Sequence, residues 1–230
     1  MFMSKILLIE TSTALCSAAL EEDGKVTAYL EEGGRAHASR LAPMIKEIMD
    51  SRGLALKELD AVCVSKGPGS YTGLRVGAST AKGLCFGAGI PLLAVGSLDA
   101  LVWGALADGS ADGCKFIVPM IDARRMEVYT AVFDASGRQL TPTEAKVVEP
   151  GSFAEELAAG NVLFIGDGAE KCRDMLGCEG ARFVGRSPDA RGMAAPAEAL
   201  LKDGKTEDVA YFEPFYLKDF TATVSRKKLF

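Results

Sequence analysis

Three features of this sequence predict an α/β fold of mixed sheets flanked by helices. The chain opens with closely spaced strand-like runs around an Asp23-Gly24 pair, a strong two-residue hairpin signal. Residues 37–50 and the segment after Gly69 carry helical periodicity. Between them stands a short apolar run, 61–64, which reads as a buried strand.

Lys5-Ile6-Leu7-Leu8-Ile9 is apolar on both faces, as expected of a central strand. A polar turn, Glu10-Thr11-Ser12-Thr13, leads to extended residues 15–20 and, across the hairpin, 26–30. In the helix over 37–50, Leu41, Met44, Ile45, Ile48 and Met49 form one apolar stripe, and Pro43 predicts a kink or a late start. After the strand at 61–64 and the turn Gly67-Pro68-Gly69-Ser70 comes a helix reaching Ala88. Residues 90–95 form a strand, and Ser97 is expected to cap a helix to about residue 106, with Asp99 in its first turn. The order β-β-β-α-β-α-β-α is that of a ribonuclease-H-like lobe.

A polar, glycine-containing break at 108–113 divides the chain into a first lobe, 1–108, and a smaller second lobe, 109–230. The second lobe is expected to hold strands at 115–120 and 126–134 around Asp122-Ala123-Arg124-Arg125, and a further strand at 145–149. A helix at 152–159, a strand at 162–165, the turn Gly166-Asp167-Gly168 and a helix at 189–201 follow. The tail 211–217 is too aromatic for a loose end and is expected to dock on the body.

With 230 residues, 48% of them hydrophobic, the chain suits one large domain or two small lobes. Its formal net charge of -5 and pI of about 5.1 give no global attraction to nucleic acid, so any RNA contact must be local. The only basic cluster, Arg226-Lys227-Lys228, reads as a solvated tail. Six cysteines without a CxxC pair, no signal-peptide pattern and no bilayer-length apolar run predict a cytoplasmic protein with reduced thiols. His37 is the sole histidine, which argues for a surface or capping residue over a triad or a two-histidine metal site.

Gly67 and Gly69 around Pro68 allow a sharp turn and close approach, and Ser70 or Thr72 would cap the next helix, whose start favours an anion. The same residues are also ordinary turn chemistry. Gly67, Gly69 and Gly73 fit no nucleotide fingerprint, so the loop alone names no ligand. Gly73, Gly77 and Ala81 recur every four residues, so a neighbour in the same chain or a partner can approach that face closely. Each interior glycine costs about 1 kcal/mol of helix propensity relative to alanine, which a close contact would offset.

Ile9-Glu10-Thr11-Ser12, the block Gly67-Pro68-Gly69-Ser70-Tyr71-Thr72-Gly73-Leu74-Arg75-Val76-Gly77, Ala81-Lys82-Gly83-Leu84, Ile121-Asp122-Ala123-Arg124 and Pro214-Phe215-Tyr216-Leu217 together resemble the bacterial TsaB (YeaZ) family. The matches are collinear, cover nearly the whole chain, and are most specific in the long block. The resemblance implies a two-lobed actin/Hsp70/sugar-kinase fold and a role in making threonylcarbamoyladenosine on tRNAs that read codons beginning with A. It implies a non-catalytic partner of a homologous TsaD-type subunit, working with a TsaE-type ATPase, reaching tRNA through the complex and forming a homodimer when alone.

TsaD-like proteins carry a His-Met-Glu-Gly-His metal motif where this chain reads Ser97-Leu98-Asp99-Ala100-Leu101, so neither histidine is kept and no metal site is expected. The resemblance also implies a helical interface of Leu41, Met44, Ile45 and Met49 with Gly73, Leu74, Gly77 and Ala81. Glu10-Thr11-Ser12-Thr13 stands where this fold would place its first phosphate-binding turn, and Glu10, Thr11 and Ser12 with Gly67, Gly69, Ser70 and Thr72 are the candidate anion or nucleotide loop. ATP-binding relatives of the fold usually have Asp at the position of Glu10, which argues against a nucleotide cofactor. At Asp122-Ala123-Arg124 a structural ion pair is expected rather than catalysis. The alternative function is a stand-alone ATP-dependent phosphotransferase or hydrolase of the same fold, which would need turnover by the isolated chain, lost on changing Glu10 or Asp122.

Overall fold

A computed structural model of the chain describes residues 4–34 and 37–218; the basic cluster Arg226-Lys227-Lys228 lies outside them. β1 (Lys5–Glu10) pairs antiparallel with β2 (Leu15–Glu22), which pairs antiparallel with β3 (Lys25–Gly33). After α1 (His37–Arg52), β4 (Ala61–Ser65) joins β1 in parallel; after α2 (Tyr71–Ala88), β5 (Leu92–Val95) joins β4 in parallel. The sheet order is β3-β2-β1-β4-β5, so β1 is central.

Both faces of β1 are covered. Leu7 and Ile9 pack beneath the apolar stripe of α1 and the inner face of α2, while Ile6 and Leu8 face the opposite layer. α1 has no late start: it begins at His37 and carries Pro43 inside it, on its exposed side. His37 lies with Nε2 2.9 Å from the Thr13 carbonyl, a local tie rather than a catalytic arrangement.

α3 (Ser97–Ala107) lies between the two sheets. Its N-cap is Gly96, not Ser97; the Ser97 hydroxyl is buried without a partner among the described residues, and the Asp99 carboxylate folds back over Gly96. Ala100 faces the first sheet, and Leu98, Leu101, Val102 and Ala105 pack on the second.

The second sheet contains β6 (Phe116–Asp122), β7 (Glu127–Thr130), β8 (Phe133–Asp134) and β9 (Glu144–Val147). It continues, past α4 (Ala154–Ala159), with β10 (Val162–Ile165) and, past the one-turn α5 (Arg173–Leu176), with β11 (Ala181–Val184). The order is β11-β10-β6-β7-β9, with β8 on β6. The single strand expected over 126–134 is broken because Val132 turns aside. Its N–H donates to Thr141 Oγ1 (2.9 Å) and its carbonyl accepts the Leu140 N–H (2.7 Å).

A 3₁₀ turn at Ala190–Met193 and α6 (Ala194–Lys202) correct the division at residue 108. Ala190, Met193, Ala194 and Ala197 pack against Ile6, Leu8, Cys63 and Leu93 of the first sheet. That face is otherwise covered by little more than Ala100, so apolar burial draws the late helix back to the first lobe. The break at 108–113 separates the sheets, and the second sheet is built from one continuous stretch, but the first lobe is not a continuous segment.

Met193→Ala should therefore lower stability by about 2–5 kcal/mol. Amide exchange should rise in β1 and β4 before β6 and β10; the reverse order would show that the late segment does not support the first sheet.

Candidate functional site

The ends of β1 and β4, the start of α2 and the tail meet at one place. Glu10 is fully buried at the end of β1. Its Oε1 accepts the Ser12 N–H (2.5 Å) and the Ser65 hydroxyl (3.0 Å), while Oε2 has no partner among the described residues. Burial pushes the Glu10 carboxyl above its ordinary value, opposed by its bonds to Ser12 and Ser65.

α2 lies directly on the β1–β2 turn. A Cβ at Gly73 would overlap the Thr11 carbonyl oxygen, and one at Gly77 would overlap Thr11 Oγ1. At Gly69 it would overlap the Ser12 carbonyl oxygen, which already accepts the Ser70 N–H (2.6 Å). Ser70 caps α2, its hydroxyl accepting the Gly73 N–H (3.3 Å). Glu10, Thr11, Ser12, Gly67, Gly69 and Ser70 thus come together, packed on one another rather than around an open cradle. Thr72 points outward.

The tail crosses this loop. Phe212 is buried in the first core, and Lys82 donates to the carbonyls of Ala210 (3.0 Å) and Phe212 (3.1 Å). The Phe215 N–H donates to the Lys66 carbonyl (2.6 Å), and Phe215 O lies 2.7 Å from where a Cβ on Gly67 would stand. Gly67 has a φ of 105°, so a side chain there would meet both strain and overlap. Tyr216 packs on Tyr71 at 4.8 Å between ring centroids, and Lys218 pairs with Glu127 on β7. One short segment therefore touches both sheets.

The eight residues expected at a helical interface are all buried in the chain's own fold. Leu41, Met44, Ile45 and Met49 belong to the first core, and Leu74 and Ala81 are 0% exposed. Gly73 and Gly77 face Thr11. The periodicity marked an inward face. The outward face of these helices carries Ala38, Thr72, Ser79 and Thr80 along a shallow groove, with Phe86 beyond it at 86% exposed. Phe86 is the one signal on that face that the sequence offered, an aromatic side chain out of register with the buried stripe.

In the second lobe, Asp122 pairs with Lys171, not with Arg124, and its N–H donates to Asp167 Oδ1 (2.9 Å). Burial raises the Asp167 carboxyl. Among the described residues, no three histidine, cysteine or carboxylate side chains converge in a group that would hold a metal ion. No helix there is long and apolar enough to cross a membrane.

Two mixed sheets flanked by helices, with α3 packed against both, define a two-lobed protein of the actin/Hsp70/sugar-kinase fold. The chain is 34% identical over 233 residues to the tRNA threonylcarbamoyladenosine biosynthesis protein TsaB of Escherichia coli strain K12, covering 98% of each. It belongs to the TsaB family. The protein of the same description from Bacillus subtilis strain 168 is 31% identical over 226 residues, 93% of each. Residues 28–225 match the family described as TsaD: tRNA N6-adenosine threonylcarbamoyltransferase. The solved structure of YeaZ from Pseudomonas aeruginosa superposes with a TM-score of 0.79 at 29% identity, covering 93% of this chain and 100% of that one. The activator of the 2-hydroxyisocaproyl-CoA dehydratase from Clostridium difficile, at a TM-score of 0.52 and 9% identity, shares the fold alone.

Gly77→Leu should destabilise the isolated protein by about 1–3 kcal/mol or more through overlap with Thr11 and Val64. An unchanged melting temperature would refute that packing. For Glu10, the folded state keeps its proton at pH values where the unfolded chain has lost it. Stability from this group is then full below the ordinary value of 4.5 and falls as pH rises towards the raised value. Thermal melts should show Glu10→Gln gaining on the wild type as pH increases from 4.5; a constant gap would refute the buried titration.

Proposed function

We propose that this chain is a non-catalytic partner that binds and activates a TsaD-type subunit forming threonylcarbamoyladenosine on tRNAs reading codons beginning with A. It works in the cytoplasm with a TsaE-type ATPase, reaches tRNA through the complex and pairs with itself when alone. The observation that carries this reading is the tight packing at the turn after β1. Where the fold would seat a phosphate, Ser12 is bonded to Ser70, Gly69 and Gly73 lie against backbone carbonyls, and the tail passes over Gly67. The residues present do not fit a nucleotide phosphate at that turn, and none is assigned as a cofactor.

A partner then needs an outward surface, and the exposed side of α1 and α2 supplies one. Small residues along α2 permit close helix approach, and Phe86 offers an aromatic anchor of the kind that dominates interfaces. The TsaD-type subunit and a second copy of this chain would compete for the same face.

The test is an omit-one reconstitution with the catalytic homologue, the ATPase, threonylcarbamoyl-adenylate and tRNA, scoring modified adenosine. Modification should require this chain, and the chain alone should produce none; the opposite result in either arm rejects the role. Phe86→Ala should leave the melting temperature unchanged and weaken association by about 2 kcal/mol, roughly 30-fold. Ser79→Arg should do the same by steric block, and undiminished association by both variants would move the interface elsewhere.

A further inference from the structure

The hairpin joining β6 to β7 ends in Arg124-Arg125, and both residues have left-handed backbones, with φ of 73° and 51°. Most residues with a Cβ resist this conformation; glycine, which has none, accepts it freely, and asparagine more readily than other residues. The turn is closed by the Glu127 N–H donating to the Arg124 carbonyl (3.1 Å) and the Ala123 N–H to the Glu127 carbonyl (3.1 Å). Neither bond uses an arginine side chain, so the turn itself has no need of arginine at these positions.

Apart from a through-space influence of Arg124 on the Tyr129 hydroxyl, the guanidinium groups are not engaged by the described residues. Both residues are exposed, and among the described residues neither side chain has an ion pair, hydrogen bond or ring contact. Every other described arginine gives its guanidinium to a carboxylate, a carbonyl or a hydroxyl. At the base of the hairpin, Asp122 is paired with Lys171 and Glu127 with Lys218. Asp167 spends one carboxylate oxygen on the Asp122 N–H, and the Arg124 N–H donates to Asp122 Oδ1 (3.1 Å), which stiffens the turn. Two uncommitted positive charges therefore project from a rigid tip on a chain of net charge -5.

We propose that Arg124 and Arg125 form a phosphate-contacting tip that holds the sugar-phosphate backbone of the tRNA against the assembled complex. This inference rests on the tRNA-modification role proposed above. Guanidinium forks match phosphate oxygens in bidentate geometry, and phosphate contacts position a nucleic acid without reading its sequence. A protein partner is the weaker fit, because the exposed aromatic side chains Phe86, Tyr211, Phe215 and Tyr216 all lie on other elements. Glycine or asparagine would ease the backbone but would carry no charge to a phosphate.

The experiment compares wild type with Arg124→Asn/Arg125→Gly and Arg124→Glu/Arg125→Glu in the complex reconstituted with the catalytic homologue and the ATPase. Binding of unmodified tRNA is followed across a sodium chloride series. The Asn/Gly variant relieves the turn, so it should melt no lower than wild type. It should nevertheless bind tRNA about tenfold more weakly at low salt, with a log-log salt slope shallower by roughly 1 per arginine. The Glu/Glu variant should be weaker still. Unchanged affinity and slope in the Asn/Gly variant overturn the tip while leaving the partner role intact, provided modification still requires the chain. Loss of complex assembly without RNA also overturns it, by assigning the tip to a protein contact. A wild-type complex indifferent to tRNA rejects both readings.

Discussion

Backbone-to-backbone contact between α2 and the turn after β1 sets the geometry of the first lobe. Gly73 and Gly77 let the helix axis drop until Thr11 fills the space that side chains would occupy, and Gly69 brings the preceding loop onto Ser12. The loop Gly67–Ser70, the cap at Ser70 and the position of β4 relative to β1 follow from that approach. The helix propensity given up at two glycines, about 1 kcal/mol each, is offset by packing along a full helix face.

The two sheets share their supporting layers. α3 covers both, and the segment from Ala190 to Lys202 returns from the second half of the chain to bury one face of β1. The tail adds a further link, bonded to Lys66 beside the first sheet and paired through Lys218 with β7 of the second. Lobes joined in this way move less freely than two domains on a linker, which suits a body that presents fixed surfaces to other subunits.

Those surfaces differ in chemistry. The outward side of α1 and α2 is small-residued, with an aromatic anchor at Phe86, and suits helix packing. The β6–β7 tip is exposed and carries two arginines, and suits a polyanion. The acidic remainder disfavours indiscriminate nucleic-acid binding, so any RNA contact would have to be local.

Much of the fold was legible in the sequence because burial imposes periodicity. A run apolar on both faces, Ile6 to Ile9, meant a central strand; five apolar residues at helical spacing meant the inner side of α1; Asp23-Gly24 meant a hairpin. The long block from Gly67 to Gly77 carried the family. Sequence spacing shows that residues share a face, but not what that face meets. Only the folded chain decided that the glycine stripe seats Thr11 rather than a partner, because Thr11 lies more than sixty residues away along the chain and no local pattern encodes its approach. It likewise decided that the last helix covers the first sheet, since which apolar surface remains open is known only once the other layers are in place. The arginines at the β6–β7 tip are a mixed case: their left-handed backbones belong to the local hairpin turn, whereas their lack of side-chain bonds among the described residues depends on what the rest of the fold brings near them.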